Sequence, residues 1–332
     1  MATVEKHGRE RRTALRINVE YALFRLLYQW VRSLSLRRGY ALSKSLMKML
    51  FYLDPFHARR TVSHILHAGI AGNRDEAVEL AKRSFEESGK LIVEVAKCDQ
   101  LFKQENFVIN ASEETRKYLY GEDFKGLILV SAHYGNWELA GGAIATALNR
   151  RMTSLMRHFS NPKIGSLFLR TRGTDNHLLA DKRLGVRPLL KALNNREIAT
   201  MLIDQHASSQ EGVVCEFFGH PARVHMTPAL LHLRTGIPIL PELNTRLPGE
   251  DFRFEMTCGE LIRYTPTGDK RRDVAQLTQQ CISALEALIR RHPEQWLWAP
   301  RHWLDIDRSC AAEYANWKPG RSAVEDAVTP LR

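Results

Sequence analysis

His133 and Glu138 stand five residues apart in Ser131-Ala132-His133-Tyr134-Gly135-Asn136-Trp137-Glu138, directly behind the apolar run 127–130. A carboxylate beside an imidazole fixes its tautomer and raises its basicity, which is what a general base needs. On one regular helix, residues five apart do not face each other. A strand–turn–helix corner can bring them together. Gly135 permits the tight turn, and Asn136 suits the N-cap of a helix that would carry Glu138 in its first turn. The amides of that turn point toward where an oxyanion would develop. A second polar pair, Asp204 and Gln205, follows the apolar run 198–203. In open α/β sheets, sites collect at such carboxyl ends of strands. Asp204 and Gln205 are therefore expected to order the site or to bind hydroxyls there.

The elements that must hold these residues can be read from periodicity. Residues 126–131, 152–156, 198–203 and 237–240 are short apolar runs of the kind found in buried parallel strands. Helical patterns lie between them at 137–148, 162–172, 188–194 and 227–235, and a last strong helix is expected over 272–291. Strands alternating with helices predict an α/β fold with a largely parallel central sheet flanked by helices. Upstream the pattern is helical to about residue 103, with Asn73 or Asp75 as the cap of a long helix. The expected organisation is a helical N-terminal region over 1–103, an α/β domain over 104–308 and a polar tail over 309–332.

Charge is concentrated at the start. The 332 residues carry a net +11, and residues 1–50 hold eleven Lys/Arg against three acids, or +8 of it. The same segment holds Ile17, Tyr21, Leu23, Phe24, Leu26, Leu27, Tyr28, Trp30 and Val31. Cations flanking an apolar, aromatic face predict an interfacial helix on an anionic membrane surface. Glu20 and Arg25 interrupt the stretch and argue against a spanning helix. Five scattered cysteines without a C-x-x-C pair argue for a reducing compartment and against a thiolate zinc site. Two other readings follow from the residues. One is a metal-dependent hydrolase using His133, Asp204 and His206 with Glu138 as base, but no H-E-x-x-H pair supports it and no metal is expected. The other is a non-enzymatic basic membrane-binding protein. No nucleic-acid motif is present.

S-A-H-Y-G-N-W-E resembles the signature of the bacterial lipid A biosynthesis acyltransferases, within the lysophospholipid acyltransferase superfamily. M-R-H-F-S-N-P at 156–162 with R-T-R-G at 170–173, L-I-D-Q at 202–205 with G-V-V-C-E-F-F-G-H-P-A at 212–222, T-G-I-P-I-L-P at 235–241 and E-Q-W-L-W…R at 294–301 resemble further blocks in the same order. The resemblance covers roughly residues 15–303. It implies transfer of a fatty acyl chain from an acyl carrier protein or acyl-CoA thioester to a hydroxyl of a lipid A precursor or related glycolipid. The expected setting is the cytoplasmic face of a bacterial inner membrane, with no cofactor and no covalent acyl-enzyme. His133 becomes the base and Glu138 its orienting partner. Arg170 and Arg172, then Arg157 and Asn161, become candidates for binding phosphates of the substrates. The C-terminal block departs from the family: Ala299-Pro300 precede Arg301 where a His is common, and His302 follows instead.

Overall fold

The computed structural model describes residues 2–306 except 157, 158, 173–175 and 250. Side chains are described from residue 13, leaving out 168 and 170–172. Four helices come first: α1 Ala2–Ser33, α2 Leu36–Leu53, α3 Pro55–His67 and α4 Arg74–Leu101. Each break has a local cause. Ser35 caps α2 by accepting from the Arg38 amide, and Asp54 caps α3, where Pro55 fits the first turn but could not continue α2. Asn73 caps α4 while Glu76 reaches back to the Gly72 amide at 2.8 Å, a reciprocal cap. α1 is tied down at its C-terminal end. Arg32 donates to the Ala96 carbonyl and pairs with Asp99, and the Lys97 ammonium holds the Arg32 and Leu34 carbonyls at 2.6 and 2.8 Å.

The α/β part is a seven-stranded sheet in the order β1-β9-β8-β2-β5-β3-β4. The strands are β1 Phe107–Asn110, β2 Leu127–Ser131, β3 Met152–Met156, β4 His177–Asp181, β5 Ile198–Leu202, β8 Ile239–Arg246 and β9 Phe254–Cys258. All neighbours pair in parallel except β8 and β9. The fold is thus α/β with a mostly parallel sheet, as the alternation of runs predicts. Helices α5 Glu113–Tyr120, α6 Trp137–Ala147, α7 Pro162–Arg172, α8 Arg187–Asn194, α9 Thr227–Thr235 and α10 Lys270–Ile289 connect and flank it. A separate antiparallel hairpin, β6 Gly212–Phe217 and β7 His220–His225, turns through Phe218 and Gly219, both in the left-handed region.

The central strand β2 is buried at every residue, and its side chains feed a core on each sheet face. One core joins the N-terminal helices, α10 and the hairpin, and holds Trp296, Trp298 and Trp303 at its centre. Phe217 and Phe218 pack among these indoles, so this Phe pair belongs to the core. Cys98, Cys215, Cys258 and Cys281 are free thiols, and Cys310 lies outside the described residues.

Candidate active site

Register assembles the site. In the β2–β5 ladder Ser131 lies opposite Leu202. Two residues further along each strand are His133 and Asp204, which the parallel pairing therefore brings side by side. The His133 amide donates to Asp204 Oδ2 at 3.1 Å, and His133 Nδ1 lies 2.8 Å from Oδ1. The Trp296 indole donates to Oδ2 at 2.9 Å. The Asp204 side chain is fully buried, while that of His133 is 23 % exposed. Burial alone would raise the Asp204 carboxyl, but the neighbouring His133 charge and hydrogen bond hold it down to about 2. For His133 burial alone would lower the imidazole, and the Asp204 charge outweighs it, so the net direction is upward. An ionised carboxylate only accepts, so Nδ1 carries the proton and Nε2 is the basic nitrogen.

The carboxylate on Nδ1 is therefore Asp204, where sequence spacing assigned Glu138. Glu138 sits half-buried in the first turn of α6. Spacing favours a near neighbour in the chain, whereas ladder register decides the contact. Of the two roles expected of Asp204 the contacts fit ordering the site, not binding substrate hydroxyls: its oxygens are occupied by His133 and Trp296. Gln205 follows it, half-buried, on the loop after β5.

The turn between β2 and α6 has little freedom. Gly135 adopts φ +55°, and a Cβ there would lie 2.0 Å from the Asn244 carbonyl oxygen. Any side chain would clash with backbone, so glycine is required on two counts. Asn136 caps α6 by accepting from the Leu139 amide at 2.9 Å. The segment 294–297 seals the corner from below. The Gly135 amide donates to the Gln295 carbonyl, and the Leu297 amide donates to the His133 carbonyl at 2.9 Å. His302, buried, places Nδ1 2.9 Å from the Asp204 carbonyl oxygen. The histidine that follows Arg301 thus supports the Asp204 loop.

A buried ion network joins this corner to the N-terminal helices. Arg246 on β8 grips Glu94 of α4 with two nitrogens, at 2.5 and 2.8 Å, and also pairs with Glu87. Glu94 further accepts from the Tyr40 hydroxyl at 2.7 Å and from the Asn136 amide nitrogen at 3.0 Å. One carboxylate therefore couples α2, α4 and β8 to the cap of the helix behind His133. A second buried acid, Glu242 on β8, has an Oε2 without a hydrogen-bond partner. Burial pushes its carboxyl up to about 7, so its protonated and ionised forms are comparably populated in neutral solution. Glu94, Arg246 and Glu242 have no sequence motif to announce them; Trp296 lies in the E-Q-W-L-W block.

Asn161 is corrected from substrate binding to a structural role. Its Oδ1 accepts from the Lys163 and Ile164 amides at the start of α7, and its Nδ2 donates to the Ile17 carbonyl of α1 at 2.9 Å. Arg170 and Arg172 lie in the last turn of α7, with side chains outside the described set, and Arg157 lies outside the described residues. Among the described residues His133, Asp204, His206 and Glu138 do not converge as metal ligands.

Residues 29–305 match the family of bacterial lipid A biosynthesis acyltransferases. The chain belongs to this family. Similar proteins include a phosphatidylinositol mannoside acyltransferase of Mycobacterium tuberculosis, 26 % identical over 194 residues, or 57 % of this chain and 58 % of that protein. The corresponding acyltransferase of Mycolicibacterium smegmatis is 24 % identical over 193 residues, 54 % and 57 % of the two chains. A lipid A biosynthesis acyltransferase of Haemophilus influenzae is 25 % identical over 180 residues, 52 % of each. The chain thus spans a little over half the length of these relatives.

Proposed function

We propose that the protein transfers a fatty acyl group from a thioester, carried on acyl carrier protein or CoA, to a hydroxyl of a glycolipid such as a lipid A precursor. The observation that carries this reading is the buried Asp204 holding Nδ1 of a partly exposed His133 at a strand end, in a chain of the acyltransferase family. His133 Nε2 takes the acceptor proton as that oxygen attacks the thioester carbonyl. The tetrahedral intermediate collapses, the C–S bond breaks, and the imidazolium returns the proton to the thiolate. The N-terminus of α6, next to His133, lends positive potential to the oxyanion. Glu138 sits in that first turn and contributes to binding or charge balance there. Arg157, Arg170 and Arg172 supply cations for substrate phosphates.

The protein works at an anionic membrane surface, which we place at the cytoplasmic face of the inner membrane. Among the described residues no helix is long and apolar enough to cross a membrane. Yet α1 exposes Leu15, Val19, Leu23, Leu26, Leu27 and Trp30, and α2 exposes Leu42, Leu46, Met49, Leu50 and Leu53. The three- and four-residue spacing puts each set on one helix face. Arg25, Arg37, Arg38, Lys44 and Lys48 are exposed on the same two helices. Sedimentation with phosphatidylglycerol vesicles should fall as salt rises, because screening removes the charge attraction. Salt-independent binding, or none, would reject the interfacial reading.

Transfer itself is tested with acyl carrier protein and CoA thioesters of several chain lengths, each offered a tetra-acylated lipid A precursor and a phosphatidylinositol mannoside. His133→Ala, with its circular dichroism unchanged, should lose about 10²–10⁴-fold in rate. Full activity in that folded variant would remove His133 from the mechanism.

A further inference from the structure

We propose that His67, His220 and Asp305 form a binding site for one divalent ion of the zinc class, separate from the His133 corner. Three distant segments meet here: the C-terminal end of α3, the first residue of β7, and the chain just past Trp303. The two imidazoles stack with centroids 3.4 Å apart and planes 29° apart. Asp305 faces both, with Oδ1 3.2 Å from His67 Nε2 and Oδ2 3.2 Å from His220 Nδ1. One ligand atom from each residue falls within 4.8 Å of the others. Zinc bound at ~2.0–2.2 Å needs its ligands roughly 3.4 Å apart with each lone pair aimed at it, so closing the set requires the stacked imidazoles to rotate apart.

The donor types fit that ion. Two imidazole nitrogens and a carboxylate oxygen suit zinc, cobalt or nickel, and leave a position for water. The His220 and Asp305 side chains are 34 % and 38 % exposed, which gives the ion an entry path, while that of His67 is 17 % exposed. The surroundings hold the donors in place. His67 packs edge-on to Trp303 at 5.2 Å, whose indole donates to the Phe217 carbonyl at 2.7 Å. The Leu304 amide donates to the Pro221 carbonyl, which fixes Asp305 beside the hairpin. A bound ion would clamp α3 and the hairpin to the segment that carries Trp296 under Asp204. Its role is structural, and it stands independently of the acyl-transfer reading.

The test uses the full chain, stripped with chelator and dialysed. Cobalt(II) is titrated by its visible absorption and zinc(II) by calorimetry. One equivalent per chain is expected, with the cobalt bands displaced by zinc and the melting midpoint raised. His220→Ala and Asp305→Asn, both partly exposed and checked for fold by circular dichroism, should bind at least about tenfold more weakly. His133→Ala should bind as the parent does, which separates this site from the catalytic corner. No saturable binding of either ion, or undiminished binding in both site variants, overturns the proposal and leaves Asp305 as an ion-pair partner only.

Discussion

Asp204→Asn is expected to keep its fold and lose about 10⁴-fold in transfer rate, because the substitution reverses the imidazole tautomer. Asp204 accepts three N–H groups, two of them on Oδ2. An asparagine keeps one acceptor oxygen, and the His133 amide and the Trp296 indole together claim it. The new NH₂ then faces His133 Nδ1 and forces that nitrogen to accept. The proton moves to Nε2, where a base is needed. The pH profile provides a second reading. In the parent, His133 titrates above 6.5, so transfer should fall as pH drops through that raised value and the base is protonated. Without the Asp204 charge, burial alone acts on the imidazole and the acid limb moves below 6.5. A limb that stays in place would mean that Asp204 does not set the basicity of His133. The same pair favours the fold in a defined window. Its contribution is fully present from above about 3.8 to below about 6.5. It is lost as pH falls toward the depressed Asp204 value of about 2, and again as pH rises through the raised His133 value.

Arg246→Met should destabilise the fold by about 3–5 kcal/mol, seen as a lower urea midpoint, because Glu94 then stays buried without its cation. The expected cost far exceeds that of an exposed pair such as Arg16–Glu20, whose attraction water and salt screen. Adding Glu94→Gln to Arg246→Met should recover part of the loss, since the uncompensated charge is gone while Tyr40 and Asn136 keep polar neighbours. A loss below about 1 kcal/mol for Arg246→Met would show that the network is hydrated.

The strands most legible in the sequence are those buried on both faces. β2 and the start of β8 are apolar and fully buried, whereas β3 and β5 carry Thr153, Ser154 and Thr200 and are only half-buried toward their ends; the bounds of β3, α7 and α9 coincide with the periodicity. β4 has no such run: four of its five residues are partly or fully exposed at the sheet edge. The β6–β7 hairpin mixes buried residues with exposed and half-exposed ones, with His220, Arg223 and His225 among the latter. His133 is legible because strand, glycine and cap residue occur together in eight positions. Its partner was seen only as a polar residue at another strand end. Joining the two requires the β2–β5 register, which no local pattern carries. Glu94 and Arg246 look like ordinary charges on a helix and a strand until α4 is laid against the sheet.

Folding this sheet means closing long loops before the corner exists. β2 lies between β5 and β8, both made later, and the Asp204 that meets His133 is 71 positions downstream. The indole that completes it is another 92 positions on. The Ser84 hydroxyl bonds the Trp296 carbonyl across 212 positions, and His64 meets the Trp298 carbonyl across 234. Contacts of this range slow folding, since chain entropy is lost before they form. During synthesis His133 must wait on the order of 10–30 s for Leu297 to be added. A chain halted before Trp296 would already carry the apolar stripes of α1 and α2, but not the floor beneath Asp204. On the ribosome, the apolar face of the N-terminal helices would therefore be finished before the corner that holds His133.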